Sequence, residues 1–222
     1  MSLPSREPPE RFALRRRGAA DLISEELRHR ILGGELTAGD PLRETELAAS
    51  FGVARNTIRE ALRLLSQEGL AVHEVHRGVS VRRFTPTDVE ELFGVRQMLE
   101  CGAARRAGQL TGAEIAGIAG TLAASEEAAE REDWQQVGVH NLAFHRELVG
   151  LLGNARLEAF FDGLMNELRL LLSSLNGDVA GPWLARNREL LELLIAGRAD
   201  EFEATLTQYL ATARDEILKR LQ

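Results

Sequence analysis

The chain has 222 residues, of which 44% are hydrophobic and 27% are charged, as expected for a soluble globular protein of one or two domains. Its single cysteine excludes an internal disulfide framework. No apolar run approaches the roughly 18 residues that a membrane-spanning helix requires. The first residues lack the apolar core of a secretory signal, so we expect a cytoplasmic protein.

The net charge of −7 is distributed unevenly along the chain. Residues 11–83 hold 13 arginines against 10 acidic residues, whereas residues 84–222 hold 13 basic and 22 acidic residues. This asymmetry favours two domains with different tasks, although chance variation in surface composition would also produce it.

The N-terminal region has the element order helix, helix, sharp turn, helix, hairpin. Residues 1–17 carry prolines and charges, and we expect a flexible tail there. Hydrophobic periodicity then predicts three helices, at 19–33, 44–50 and 55–67. Two short β-type runs follow, at 71–75 and 79–82, and predict a hairpin. This order over residues 18–83 is that of a winged helix-turn-helix, in which the third helix reads the DNA major groove.

The third predicted helix presents an apolar arc toward the other two helices and a basic arc beside it. The basic arc holds Arg55, Arg59 and Arg63, with Asn56 nearby. A planar guanidinium suits the guanine O6 and N7 atoms or phosphate oxygens. Taken alone, the arginines favour a solvated face in which Arg63 pairs with nearby acids such as Glu60. The surrounding order of elements favours DNA.

Several stretches of sequence carry a more specific resemblance. Residues 39–48 read GDPLRETELA, residues 51–62 read FGVARNTIREAL, and LSQEGL and RGV follow at 65–70 and 77–79. In order and spacing this region resembles the DNA-binding domain of the GntR family of bacterial transcription regulators. The helical remainder is similar to the FadR-type ligand-binding domain, called FCD. Two segments carry that second similarity, LFGVRQMLE at 92–100 and NLAFHREL at 141–148.

The resemblance implies which residues contact DNA, and the basic arc adds Asn56. The set comprises Arg43 ahead of the second helix, Arg55, Asn56, Thr57 and Arg59 on the third helix, and His76, Arg77 and Gly78 at the wing tip. A glycine at the wing tip allows the backbone to approach DNA closely. The family usually places Ser or Thr just before the recognition-helix arginine, but this chain has Ala54. The missing helix cap costs about 0.5–2 kcal/mol of local stability.

After a linker at 84–86, residues 87–222 have a helical pattern throughout. Helices are predicted at 87–108, 112–131, 133–151, 155–175, 182–196 and 200–221. Capping boxes are predicted at Thr87 with Glu90 and at Thr111 with Glu114. The predicted fold class is therefore mainly α: a winged helix-turn-helix followed by an all-helical bundle of about six helices.

Many FCD domains bind a divalent metal through one Asp and three His, and the resemblance places Asn141, His145, Asn187 and Tyr209 at those positions. Neutral amides and a phenol are poor ligands for first-row transition metals, but they bind organic ligands well. We therefore expect a metal-free effector pocket; the alternatives are a metal-dependent pocket and a polar core without a ligand. The resemblance also places Arg96 inside the bundle, where it pairs with Glu100 or with a ligand carboxylate.

Two other functional classes account for fewer of these features than a regulator does. An enzyme would have to use Cys101 and His145 as nucleophile and base, but no phosphate-binding glycine loop or other catalytic motif accompanies them. A helical interaction module would explain the acidic bundle but not the arginine-faced helix with its wing. We predict a transcription regulator, not an enzyme, that binds a palindromic DNA operator as a homodimer. A small organic acid is expected to control it, without a cofactor.

Overall fold

The computed structural model describes residues 18–74, 78–175 and 183–221. Within these ranges the chain forms nine α-helices and one two-stranded sheet, which confirms the mainly α fold class. The helices are α1 (Ala19–Leu32), α2 (Glu44–Phe51), α3 (Arg55–Gln67), α4 (Pro86–Glu100), α5 (Gly112–Glu130), α6 (Trp134–Gly150), α7 (Ala155–Ser173), α8 (Trp183–Ile195) and α9 (Ala199–Arg220); the strands are β1 (Ala71–Glu74) and β2 (Gly78–Val81). None of the helices in these ranges is long and apolar enough to cross a membrane.

Helices α1 to α3 and the hairpin share one hydrophobic core. Leu27 and Ile31 of α1 are completely buried against Ile58 and Leu65 of α3. The chain turns between α2 and α3 at Gly52, which adopts the left-handed conformation with φ 65°. As the sequence predicts, Ala54 stands at the N-cap of α3 and makes no side-chain capping bond. The apolar arc of α3 thus faces inward, which leaves its basic arc on the surface.

The hairpin forms the wing and is tied to the segment before α2. Strands β1 and β2 pair antiparallel, with Ala71 opposite Val81 and Glu74 opposite Gly78. The backbone N–H of Leu42 donates to the Val79 carbonyl oxygen at 2.8 Å. This bond holds the start of α2 against the base of the wing.

Helices α4 to α9 form a separate core, in which α5 packs against α6 and α9 packs against α4 and α8. Thr111 and Glu114 form the predicted capping box of α5. The predicted box of Thr87 with Glu90 is wrong, because Thr85 caps α4 and exchanges bonds with Asp88. Pro86 takes the first helical position, where its fixed φ and missing N–H are favourable.

The helix predicted at 87–108 is also wrong in its second half. Helix α4 ends at Glu100, and a 3-10 helix follows from Cys101 to Arg106. Gly102 lowers the helix propensity of this segment. Arg106 also donates to the Leu151 carbonyl oxygen at 2.6 Å and pairs with Glu114. These tertiary bonds hold the chain in a path that an α-helix would not follow.

Helix α7 belongs to the bundle but also contacts the N-terminal core. Leu170 of α7 is buried among the apolar side chains of α1, α3 and the wing. Arg82, just after β2, donates to Glu167 of α7 at 2.6 Å and to Asp88 of α4 at 2.8 Å. Phe84 packs against both cores. The two units are therefore joined through one helix and one short connector.

Gly69 of the N-terminal unit lies close to Glu167 of α7. A substitution at Gly69 therefore tests how rigid the contact between the two units is. Gly69 has φ +73°, and a Cβ there would lie 2.5 Å from Glu167 Cγ. Gly52 also has a positive φ but has open space around it. We expect Gly52→Ala to lower the free energy of unfolding by about 1–2 kcal/mol through backbone strain alone. Gly69→Ala should cost more, because Glu167 must also move away from Arg82.

Urea denaturation of both variants measures the difference. Equal losses would mean that the Glu167 side chain moves aside at no cost.

Candidate functional site

The exposed face of α3 carries two arginines that share one acidic partner. The Nε and Nη2 atoms of Arg59 donate to the two carboxylate oxygens of Glu44 at 3.0 and 2.9 Å, and Arg55 Nη2 donates to the same carboxylate at 3.2 Å. The hydrogen bonds from Arg59 hold the pKa of Glu44 below its usual value. Both arginine side chains remain about 60% exposed to solvent. Sequence reasoning missed Glu44, although an acidic residue opens α2.

These arginines line a cleft of about 480 Å³ between the start of α2, α3 and the wing. Arg43, His73 and Gly78 line it as well. Gly78 has φ +84°, and a Cβ there would meet no atom within 4 Å. Four of the residues expected to contact DNA, one of them from the wing, therefore converge on one open surface.

The other residues expected to contact DNA are placed differently. Asn56 is exposed, and its side-chain oxygen accepts a bond from Arg59 Nη1 at 3.4 Å. Thr57 is half-buried, and its backbone N–H donates to the Ala54 carbonyl. His76 and Arg77 lie outside the described residues. Arg63 pairs with Glu60, as the solvated-face alternative expected of it.

A second cluster lies inside the bundle and is organised by Glu100, which is completely buried. One carboxylate oxygen accepts a bond from Arg96 Nε at 2.7 Å, and the other lies 2.6 Å from His145 Nδ1. The neighbouring Arg96 and His145 hold the pKa of Glu100 below its usual value despite burial. Burial lowers the pKa of His145 and so favours the neutral imidazole, and the Glu100 carboxylate beside Nδ1 favours a proton on that nitrogen.

The chain of hydrogen bonds continues from His145 to three more polar side chains. Its Nε2 lies 3.0 Å from the Tyr209 hydroxyl, which is also 3.3 Å from Asn141 Oδ1. Asn187 Nδ2 donates to the same Asn141 oxygen at 2.7 Å. Burial raises the pKa of the Tyr209 phenol, so this hydroxyl stays protonated and acts as a donor. All five residues expected around the effector thus form one connected network with Glu100.

A cavity of about 270 Å³ opens beside this network. Arg96, Asn141 and Tyr209 line it, whereas His145 and Asn187 stand behind them. Most of the remaining wall is apolar, including Phe93, Leu142, Leu168, Trp183 and Ile217.

Two polar atoms next to the cavity have no hydrogen-bond partner among the described residues. They are Arg96 Nη2 and Asn187 Oδ1, and both are buried. An unsatisfied buried polar group costs about 1–3 kcal/mol, and a charged one costs more. The cavity is therefore suited to a ligand that accepts a hydrogen bond from Arg96.

Arg169 of α7 also lines the cavity, and sequence reasoning missed it. It is half-buried, and its pKa is lowered by desolvation and by the nearby Arg146. The available signal was an arginine within the leucine-rich run at 168–172. A charge in such a run is costly to bury unless it serves a polar site.

The four side chains at the family's metal positions do not fit a first-row transition metal. His145 Nε2 is engaged by the Tyr209 hydroxyl, and the Asn141 oxygen is engaged by Asn187. In the described part of the chain, no three His, Cys, Asp or Glu side chains come together in a way that could hold a metal ion. One imidazole, two neutral amides and a protonated phenol make a weak donor set for such an ion.

Cys101 directly follows Glu100 at the end of α4, but its sulfur faces Thr207 of α9. Its sulfur lies 3.8 Å from the Thr207 hydroxyl, and desolvation raises the pKa of its thiol. A raised pKa suppresses the thiolate form that a nucleophile requires. The arrangement therefore supports a structural role for Cys101.

Comparison with known proteins assigns both units. Residues 19–81 match the family described as bacterial regulatory proteins, gntR family, and residues 91–212 match the FCD domain. The chain belongs to the GntR family, with an FCD domain at its C-terminal end. It is accordingly a DNA-binding transcription regulator with a C-terminal effector-binding domain, and the prediction that it is not an enzyme is confirmed by the nature of its relatives.

Individual relatives agree with this assignment. The "Probable D-xylose utilization operon transcriptional repressor" of Paenarthrobacter nicotinovorans is 31% identical over 182 residues, which cover 82% of this chain and 80% of that protein. The "Gluconate operon transcriptional repressor" of Bacillus licheniformis is 27% identical over 157 residues, covering 70% of this chain and 64% of that protein. A crystal structure of a GntR transcriptional regulator from Rhodococcus sp. RHA1 superimposes with a TM-score of 0.81 at 32% identity, covering 90% of this chain and 97% of that one.

The ion pair of Arg96 with Glu100 leads to a prediction about stability. Arg96→Ala would leave the buried Glu100 carboxylate without its cation, so we expect the free energy of unfolding to fall by about 3–5 kcal/mol. The double variant Arg96→Met, Glu100→Gln removes both charges and should recover much of that loss. Urea denaturation followed by circular dichroism measures both effects. An Arg96→Ala variant as stable as the wild-type protein would show that Glu100 does not need this cation.

Proposed function

We propose that this regulator binds a two-fold symmetric operator as a homodimer, and that a small carboxylate in the bundle cavity controls its affinity for DNA. The single observation that carries the effector part is the buried, unpartnered Nη2 atom of Arg96 at the cavity wall. A carboxylate oxygen is the natural acceptor for a guanidinium N–H.

The geometry of α3 supports direct reading of DNA by Arg55 and Arg59. Their pairs with Glu44 are exposed, and exposed ion pairs contribute little to stability. Guanine or phosphate oxygens can therefore replace Glu44 as acceptors at little cost. The cleft also brings Arg43 and Gly78 within the same surface, so that α3 and the wing can contact adjacent parts of one duplex.

A homodimer is proposed because one winged helix reads only a few base pairs. Two copies related by a two-fold axis match an operator made of inverted half-sites, and the symmetry of the protein is then the symmetry of the site. An inverted repeat also increases specificity without any new contact within one half-site.

Control of DNA binding by the cavity is supported by the elements that the two units share. Leu32, at the end of α1, lines the cavity and is buried in the N-terminal core. Helix α7 places Arg169 on the cavity and Leu170 in the N-terminal core. A ligand that moves α7 therefore acts directly on the packing of α1 beneath the recognition helix.

Selection from a randomised duplex library with the purified protein tests the DNA part. We expect an inverted repeat, and native mass spectrometry of the complex should find two chains per duplex. An asymmetric site bound by one chain would contradict the homodimer. For the effector part, carboxylates that stabilise the protein are added to the complex, and an unchanged DNA affinity with all of them would contradict control by this cavity.

The arrangement of α3 predicts unequal effects of its three arginines. Arg55→Ala and Arg59→Ala should each weaken binding to the selected duplex by about tenfold to a hundredfold, because each removes a donor to a base or phosphate. Arg63→Ala is the matched control from the same helix, since Arg63 pairs with Glu60 and is not among the residues found to line the cleft. Fluorescence anisotropy measures the affinities. Equal losses in all three variants would contradict the assignment of the cleft as the reading surface.

A substitution in the wing is expected to weaken DNA binding in a different way. Gly78→Val places a β-branched side chain at a φ of +84° and on the surface that approaches DNA, so both the turn and the approach should suffer. We expect weaker binding to the selected duplex and to random DNA by similar factors, because backbone contacts carry no sequence information. Loss of affinity for the selected duplex alone would instead indicate that the wing reads bases.

A further inference from the structure

We infer that the cavity is built for a monocarboxylate with an apolar body, such as an aromatic or branched-chain acid, and not for a polyhydroxylated sugar acid. This inference rests on the effector function proposed above and names the class of ligand. Four observations carry it: the zoning of the cavity wall, its balance of charge, its size and the scarcity of partners for hydroxyl groups.

The wall is divided into three zones. The inner end is polar and buried, where Arg96 and Tyr209 are only 3% and 4% exposed. The middle is formed by buried apolar side chains, among them Leu142, Leu168 and Trp183. The outer rim is exposed and includes Trp134, Gln135 and Ser173. A ligand whose carboxylate reaches the inner end therefore places its body against hydrocarbon and aromatic surface.

Among the described residues, the charged side chains that line the cavity, taken with their partners, leave one uncompensated positive charge. Arg96 is balanced by Glu100, and burial disfavours the charged form of His145. Arg169 lines the cavity and has no hydrogen bond or ion pair with any carboxylate of the described residues. One carboxylate thus neutralises the site: it accepts a bond from Arg96 Nη2, and Arg169 supplies the compensating charge.

The size of the cavity suits a small acid. A volume of about 270 Å³ accommodates an organic ligand of about ten non-hydrogen atoms, since one water takes up about 30 Å³ in the liquid. Phenylacetate and 4-methylpentanoate are of this size and carry one carboxylate each.

Hydroxyl groups on the body of the ligand would lack partners in the middle zone. Each hydroxyl buried there without a hydrogen bond costs about 1–3 kcal/mol. Near the inner end, Asn141 is already paired with Asn187, and the unpartnered Oδ1 of Asn187 belongs to a residue that does not line the cavity. A sugar acid of similar length, which carries several hydroxyls, is therefore rejected by the same wall that accepts a hydrocarbon body.

The test is isothermal titration of the purified full-length protein, without DNA, with four probes: phenylacetate, 4-methylpentanoate, phenylacetamide and gluconate. We expect both apolar acids to bind. Phenylacetamide has the same shape without the charge, so it should bind at least about tenfold more weakly. Gluconate has the carboxylate with a polyhydroxylated body and should give no measurable heat of binding.

Two variants test separately the contribution of the Arg169 charge and that of the apolar wall to ligand binding. Arg169→Gln should weaken phenylacetate binding about tenfold or more and should reduce its advantage over phenylacetamide. Arg156→Gln, an exposed arginine at the opposite end of α7, is the matched control and should bind as the wild-type protein does. Leu172→Asn makes the half-buried wall polar while keeping the number and branching of side-chain heavy atoms, and should weaken both apolar acids. Circular dichroism and the thermal midpoint of unfolding establish that each variant is folded.

The outcomes distinguish this inference from the function on which it rests. Binding of gluconate in preference to the apolar acids would overturn the inference while leaving a carboxylate effector in place. Equal affinity for phenylacetate and phenylacetamide, or an unaffected Arg169→Gln variant, would overturn the role of the compensating charge. If none of the three acids binds, the inference and the proposed carboxylate effector both fail.

Discussion

The ionised carboxylate of Glu100, completely buried between Arg96 and His145, determines the polar interior of the bundle. Burying a charge is costly unless every lone pair finds a partner, and here both oxygens are occupied. The bond to Nδ1 orients the imidazole, so that Nε2 lies 3.0 Å from the Tyr209 hydroxyl, which donates to Asn141 Oδ1. The same carboxylate accepts from Arg96 Nε and thereby leaves Arg96 Nη2 at the cavity wall. One buried ion thus orients every group that a ligand would meet at the inner end.

Helix α7 connects the interior of the bundle with the N-terminal unit. Successive residues of the helix face different surroundings: Leu168 and Arg169 line the cavity, while Leu170 lies in the N-terminal core. Glu167 pairs with Arg82 beside the wing. We propose that a ligand which displaces α7 on its cavity side also displaces its other face, where Leu170 packs in the N-terminal core. In this proposal one helix with two contact faces couples the two units.

Much of the fold follows from the sequence, because hydrophobic period, glycine stops and capping residues act locally. Helices α2, α3 and α5 begin where the pattern places them, whereas the course of the chain after Glu100 depends on Arg106 reaching a distant carbonyl, which no local pattern records. The convergence of Asn141 and Tyr209 was expected only from resemblance. Arg169 was missed because its meaning depends on which helices surround it. Hydrophobic periodicity carries no information about tertiary contacts between distant segments.

The cleft beside α3 and the cavity in the bundle share one feature, although the first is exposed and the second is buried. In each, a carboxylate of the chain holds an arginine in position: Glu44 holds Arg59 on α3, and Glu100 holds Arg96 in the bundle. On the surface the pair is solvated and weak, so a phosphate or guanine can take the place of the carboxylate. In the interior, displacement of the carboxylate would leave a buried charge unpaired, so a ligand can use only the N–H that remains free. Under the proposed function, the difference in burial therefore means that DNA would replace Glu44 as the partner of Arg59, whereas the effector would bind Arg96 while its pair with Glu100 stays intact.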